Sequence, residues 1–445
     1  MQPLLNIKNE QIIVFADDLT GAMEVGLQSC PAVVLNKMDA AVVRSASVKS
    51  KTTIVLNTQT RELSAEQTYR ITWEKSHALA IPESAVTYYK IDSTMRGHIG
   101  AGVKALRDVL QSDLVVIAPA LPQNGRITRN GAHYVKENGN IVPVHETQYA
   151  RGITTSYPTS YIPDIIGVQL DEPVQLISLD VVQRGWRDIK SALSKQPQGA
   201  AVVADAVIPE DLDNIAEAIH RLNAKILSVG SAGLFRAICR VLRAASNMSV
   251  PQITDWIRQL PHISIDGTVI VIAGSFNKQT DAQIEKALAT SGDKLNLLEL
   301  DVSKVIAKGK SRIAEIERLR SQVWSSLQAK KHVIVRTNRT ILKCSKREEN
   351  DIVKALGETI NDDSIMGNSA FLLLTGGQTA YFVTQVLGAV GIEIKGEIEK
   401  FIPFGVLMGG KYNGIPVVTK AGGFGSPNII ADVISYTENK NRPPE

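Results

Sequence analysis

Cysteine is nearly absent from this chain. The three present in 445 residues, Cys30, Cys239 and Cys344, are odd in number and far apart. They form no disulfide framework and show no zinc-ligand spacing, so a reducing, cytoplasmic setting is expected. No apolar run approaches the roughly 18 residues that a membrane span requires. The opening "MQPLLNIKNE" lacks the basic region, long apolar core and small-residue cleavage site of a signal peptide. Neither sign of charge dominates, with 49 Lys and Arg against 45 Asp and Glu for a net +4. That balance suits small anionic ligands and gives no strong footprint for nucleic acid. The seven histidines are scattered. There is no G-x-S-x-G elbow and no H-E-x-x-H zinc motif. Standard P-loop spacing is missing, and so is the G-x-G-x-x-G turn followed by an acid, which disfavours a dehydrogenase.

What is present is ordinary soluble-protein material, 44% hydrophobic and 21% charged. At 445 residues the chain exceeds one ordinary core, so two domains are expected. Short apolar runs alternate with helical patterns: residues 12–16, 53–57, 86–91, 114–119, 174–179, 200–204 and 225–230, then 268–274, 332–337, 371–377 and 415–423. The runs are near-continuous rather than alternating, which marks strands covered on both faces. The fold class expected is therefore α/β, in two domains, each a largely parallel sheet flanked by helices. Helical spacing places helices over 97–110 and 211–222, the second with an Asp able to cap it. The segment 246–267 carries two prolines and no βα rhythm. It is read as a connection between domains at 1–245 and 268–445.

In a parallel α/β sheet, ligands collect beyond the carboxyl ends of the strands. In the first half those ends carry Asp17 and Asp18, then Thr58, Thr60 and Arg61, then Lys90, Asp92, Ser93, Thr94 and Arg96. A further Pro-, Gly- and Asn-rich loop, 118–135, presents Arg126 and Arg129. Arginine can grip a carboxylate through two parallel hydrogen bonds, and a helix N-terminus adds unpaired N–H groups. Each residue also has a structural reading. Asp18 can cap the helix that follows, Asp17 can pair with an arginine, and His98 and His133 can be structural. Convergence of acid, hydroxyl and guanidinium groups at several strand ends favours a pocket for a small, hydroxylated, anionic molecule.

The second half contains three strand–glycine loop–helix units, around Gly274-Ser275, Gly376-Gly377 and Gly422-Gly423. Glycines at such turns let backbone N–H groups approach phosphate oxygens. Ser275, Thr375 and Thr379 add hydroxyls and Lys420 adds a cation. Together the units suit a nucleotide or polyphosphate.

The motifs "ADDLTGA", "KIDSTMRG", "APALPQNGRITRNGAHYV", "TGGQTA" and "KAGGFG" occur in an order that resembles the four-carbon acid sugar kinases. That family includes the D-threonate, D-erythronate and 3-oxo-tetronate kinases. The resemblance implies an N-terminal domain for the sugar acid, a C-terminal domain for ATP, and an active site in the cleft between them. It implies direct in-line phosphorylation of the terminal (4-) hydroxyl, in carbohydrate catabolism. Asp18 or Asp17 would approach that hydroxyl, Asp18 being the expected general base. Arg61, Asp92, Ser93 and Arg96 would hold the sugar acid, with Lys90, Thr94 and Arg126 beside them. Ser275, Gly376, Gly377, Gln378, Thr379, Lys420, Gly422 and Gly423 would line the ATP site. Mg²⁺ bridging the phosphates is implied by kinase chemistry, with no protein ligand cluster for it in the sequence. The expected partner is a small sugar acid, with neither nucleic acid nor membrane, and a homodimer is the candidate assembly. A non-catalytic, sugar-acid-binding regulator of the same two-domain build is the alternative reading.

Overall fold

A computed structural model describes residues 11–29, 31–38, 52–79, 81–137, 139–150, 158–244, 267–274, 277–338 and 344–438. The chain divides into two compact units, Met1–Val250 and Pro251–Glu445. Apart from Gly267, the expected connecting segment 246–267 lies outside the described residues.

The first unit carries β1 (Ile12–Ala16), β2 (Ala32–Leu35), β3 (Thr53–Asn57), β4 (Val86–Lys90) and β5 (Leu114–Ala118). It continues with a hairpin series β6 (Arg126–Arg129), β7 (Ala132–Glu137) and β8 (Asn140–Pro143), then β9 (Gln175–Ile177), β10 (Ala200–Ala204) and β11 (Ile226–Gly230). The main sheet is wholly parallel, in the order β2-β3-β1-β4-β11-β5-β10-β9. Every residue of β2, β3 and β5 is buried, as unbroken apolar runs require of strands sandwiched between helices. β3 and β4 flank β1 on opposite sides, so the strand order reverses at β1. In such sheets the crevice at the carboxyl end of the reversal is where ligands bind.

Three expectations change here. The helix expected over 97–110 is Ile99–Leu110, because Gly97 takes a φ of 97° and His98 serves as N-cap. The loop expected to present Arg126 and Arg129 is largely a β-hairpin, β6 pairing antiparallel with β7. The helix expected over 211–222 is Pro209–His220, with Ile208 as its N-cap, so the Asp acts from inside the first turn. Asp211 accepts from the N–H groups of Val207 and Ile208 at 2.8 and 3.1 Å.

The second unit carries β12 (Thr268–Ala273), β13 (Leu295–Leu300), β14 (His332–Thr337) and β15 (Ser369–Thr375). β16 (Gly391–Glu399), β17 (Ile402–Met408) and β18 (Pro416–Lys420) follow. The strands β13-β14-β12-β15-β18 are parallel, and the β17–β16 hairpin joins β18 antiparallel. Val269, Val271, Ile284, Leu373, Phe404, Val418 and Val433 share one core beneath this sheet. β12, β15 and β18 are neighbours, so the glycine loops after them emerge side by side.

Candidate functional site

In the first unit, three adjacent strand ends place their polar residues together. After β1, Asp17 is 3% exposed, and Asp18 caps the helix Leu19–Gln28 by accepting from Gly21 N at 2.9 Å. After β3, Arg61 bridges the two acids. Its Nε donates to Asp17 Oδ2 at 3.0 Å, and its Nη2 reaches Asp17 Oδ1 and Asp18 Oδ1, both at 2.7 Å. The Asp17 carbonyl also accepts from the N–H groups of Thr60 and Arg61, so the loop after β3 is fastened to the loop after β1. Both structural readings of the acidic pair are therefore realised in the fold. One atom escapes them: Asp18 Oδ2 takes no hydrogen bond among the described residues.

The loop after β4 forms a second ion pair. Arg96 donates to Asp92 through Nε at 2.7 Å and Nη2 at 2.9 Å, and Thr94 also donates to that carboxylate. Arg61 Nη1 stands 3.9 Å from Asp92, which links the two clusters. Burial works against the Asp92 charge, yet Arg61, Arg96 and Thr94 together hold its carboxyl well below the usual carboxylate range. Burial alone would lower the Arg61 guanidinium, but Asp17, Asp18 and Asp92 raise it well above its ordinary value. Burial pushes the Asp17 carboxyl up against the pull of Arg61, and the adjacent Asp18 charge adds to the push.

Lys90 is buried at the end of β4. Its ammonium donates to Ile91 O at 2.9 Å and lies 3.9 Å from Glu24 Oε2. A Cβ on Gly21 would come within 2.9 Å of Lys90 Nζ, so that glycine gives the ammonium its room. Ser93 is fixed through its carbonyl, 2.8 Å from His133 Nε2, while His133 Nδ1 lies 3.1 Å from Thr128 Oγ1. Burial lowers His133 to about 4, so it is neutral at pH 7 and buttresses the loop from the hairpin. Arg126 stands on that same hairpin and donates to Asn124 O. No hydrogen bond or ion pair joins it directly to the Asp17–Asp92 group among the described residues. Glu24 was not singled out from the sequence. Its signal is the i, i+3 spacing from Gly21, which puts both on one helix face.

In the second unit the three glycine loops also converge. Gly376, with a φ of 102°, is the N-cap of the helix Gly377–Val386, and its N–H donates to Lys420 O at 2.8 Å. Gln378 and Thr379 occupy that helix's first turn. A Cβ on Gly274 would meet Thr379 Oγ1 at 2.6 Å. Lys420 Nζ donates to the carbonyls of Ala421 and Gly422 at 3.2 and 3.3 Å, and burial lowers it to about 8. Gly422 O also accepts from Thr280 Oγ1 at 2.9 Å. Ser275 lies outside the described residues. Among the described residues, no group of three or more His, Cys, Asp or Glu could hold a metal ion.

The first unit thus gathers charged groups at one strand reversal, and the second gathers glycine loops at three neighbouring strand ends. Residues 12–238 match a sugar-binding N-terminal domain, and residues 270–430 match a nucleotide-binding C-terminal domain. The chain is 31% identical to a D-threonate kinase of Salmonella typhimurium, over 96% of this chain and 98% of that protein. The chain belongs to the four-carbon acid sugar kinase family. A D-erythronate kinase of Heliobacterium modesticaldum is 25% identical, over 96% of this chain and 97% of that one. A 3-oxo-tetronate kinase of Methylobacterium radiotolerans is 24% identical, over 93% and 96%. Solved structures share the fold. One from Salmonella typhimurium LT2 has a TM-score of 0.73 at 21% identity, covering 95% of this chain and 98% of that one. One from Haemophilus influenzae has a TM-score of 0.68 at 23% identity, covering 96% and 99%. Family membership makes the chain a phosphotransferase with an alcohol group as acceptor. No helix among the described residues is long and apolar enough to cross a membrane.

Proposed function

We propose that the chain is an ATP-dependent kinase that phosphorylates the terminal (4-) hydroxyl of a four-carbon acid sugar in the cytoplasm, with D-threonate the leading acceptor. The observation that carries this reading is the 31% identity to a D-threonate kinase across 96% of the chain. The domain assignment proposed with it is 1–245 for the sugar acid, 246–267 as connection and 268–445 for the nucleotide.

Phosphoryl transfer asks a protein mainly for positioning and charge stabilisation. In this reading Asp18 accepts the acceptor hydroxyl's proton on Oδ2, the atom that neither Gly21 nor Arg61 occupies. Arg61 fixes that carboxylate against rotation, and Asp17 anchors Arg61 in turn. The cations of Arg61, Lys90, Arg96 and Arg126 offset the charge of the sugar acid, with Asp92, Ser93 and Thr94 shaping the loop that receives it. ATP enters as its Mg²⁺ complex, a substrate that carries its own metal, so a resident metal cage is not required. The phosphates would lie against Ser275, Gly376, Gly377, Gln378, Thr379, Gly422 and Gly423, with Lys420 as the counter-charge. The residues fit that role, because backbone N–H groups in glycine turns and at a helix N-terminus favour phosphate oxygens.

The test is ADP release from MgATP with D- and L-threonate, D- and L-erythronate and the 3-oxo-tetronates, the product position being read by phosphorus NMR. Turnover of D-threonate to its 4-phosphate is expected. Absence of turnover with every acid would overturn the reading.

A further inference from the structure

We infer that Gln283 is a positioning residue for the nucleotide, holding the 424–426 turn of the glycine loop so that the Gly425 N–H faces the phosphates; the inference rests on the nucleotide reading above. Gln283 lies fully buried on the helix Lys278–Ser291. Its Nε2 lies within hydrogen-bond distance of three successive carbonyls, Phe424 O at 3.1 Å, Gly425 O at 3.1 Å and Ser426 O at 3.0 Å, so its two hydrogens are shared among three acceptors. Three carbonyl oxygens admit only the NH₂ end of the amide, which fixes its orientation.

The same helix takes more of the loop. Gln279, one turn earlier, donates to Gly425 O at 2.8 Å, and Thr280 donates to Gly422 O at 2.9 Å. Lys420 supplies Ala421 O. Of the six carbonyls from 421 to 426, Gly423's is the one without a side-chain donor among the described residues. The N–H groups show the opposite pattern. Phe424 N donates to Ala421 O, and Ser426 N donates to the Glu399 carboxylate at 2.8 Å. Those of Gly422, Gly423 and Gly425 have no acceptor among the described residues.

A peptide unit whose carbonyl is drawn one way presents its N–H the other way. With the carbonyls of Ala421, Gly422 and Phe424 held by Lys420, Thr280 and Gln283, the N–H groups of the same peptides, those of Gly422, Gly423 and Gly425, are left as unpaired donors, the make-up of an anion-binding nest, and Gln283 sets the last of them. Gly425, at a φ of 90°, permits the turn this needs. Gln283 does this at a cost, since its Oε1 is buried with no hydrogen-bond partner. An apolar side chain of the same size would avoid that cost and would leave the Phe424 and Ser426 carbonyls free to swing, Gln279 still holding that of Gly425.

The experiment is calorimetric titration of ADP into the full chain and its Gln283→Met variant, with steady-state kinetics for both substrates. Methionine keeps the volume and removes the donors. The expected result is an ADP dissociation constant and a KM for ATP at least fivefold higher, with the KM for the sugar acid within twofold of the parent. Gln283→Glu adds a signature that loss of packing lacks. As a carboxylate it opposes the carbonyls, but protonated it can donate again, so its ADP affinity recovers towards the parent as pH falls. If Gln283→Met does not fold, Gln279→Ala removes one donor from an exposed position and is expected to weaken ADP about threefold. ADP binding unchanged in the folded variants would overturn the inference. A parent protein that binds no ADP would overturn the nucleotide reading itself.

Discussion

Arg61 Nη2 lies 2.7 Å from Asp17 Oδ1 and 2.7 Å from Asp18 Oδ1, so a single guanidinium nitrogen sets the position of both acids. A lysine at 61 could balance the charge but could not fork between two carboxylates while gripping Asp17 a second time through Nε. Arg61→Lys is therefore expected to lower kcat by about tenfold or more while the KM for the sugar acid changes less, read from steady-state kinetics. Arg61→Ala goes further, because it leaves buried Asp17 without its counter-charge. A loss of about 3–5 kcal/mol is expected in denaturant unfolding. Equal stability of the alanine and lysine variants would show that the pair adds little to the fold.

The two acids differ in what remains open to a ligand. Asp17 spends both oxygens on Arg61, whereas Asp18 keeps Oδ2. Asp18→Asn preserves size and can still meet a hydroxyl, but cannot take its proton. Turnover is expected to fall by about 10²–10⁴ with ADP affinity unchanged, checked by single-turnover kinetics and titration. Parallel loss of ADP affinity would mark the residue as structural.

His133 links the hairpin to the loop that carries Asp92 and Arg96, and it does so as a neutral ring. Burial lowers its pKa from 6.5 to about 4. The unfolded chain thus binds a proton that the folded chain refuses between those values, and stability falls as pH drops from about 6.5 towards 4. The contribution is about 3 kcal/mol for a fully buried group. Thermal melts of the parent and of His133→Gln across that range test it, the variant being expected to lose less of its stability. An identical acid slope would assign the loss to other groups.

The sequence disclosed the central strands because a strand covered on both faces needs an unbroken apolar run, as in β1, β5 and β12. It disclosed less where that pressure is relaxed. β13, at the edge of its sheet, interrupts its leucines with Asn296 and Glu299, and β16 alternates apolar residues with Glu393, Lys395, Glu397 and Glu399. The acidic pair was visible as two letters after an apolar run. That Arg61 holds both carboxylates depends on β3 lying beside β1, a relationship 44 residues apart in the chain. Gln283 was less legible still. Its partners lie more than 140 positions away, and the one local sign is that Gln279, Thr280 and Gln283 share a helix face.

Lys420 offers a pH test confined to the second unit. Burial lowers its pKa from 10.5 to about 8, and its ammonium donates into the loop of Gly422. If that ammonium is the counter-charge for phosphate, the free protein must be protonated there to bind. ADP affinity is then level below about pH 8 and falls about tenfold per pH unit above it, because each unit removes a further tenfold of the protonated form. Phosphate itself gains no proton in that range, so the fall belongs to the protein. Lys420→Gln removes the titration, and its weaker affinity is expected to be flat from pH 7 to 10. Calorimetric titration of ADP at half-unit steps distinguishes the outcomes. A parent profile as flat as the variant's would mean that the lysine serves only to hold the carbonyls of Ala421 and Gly422.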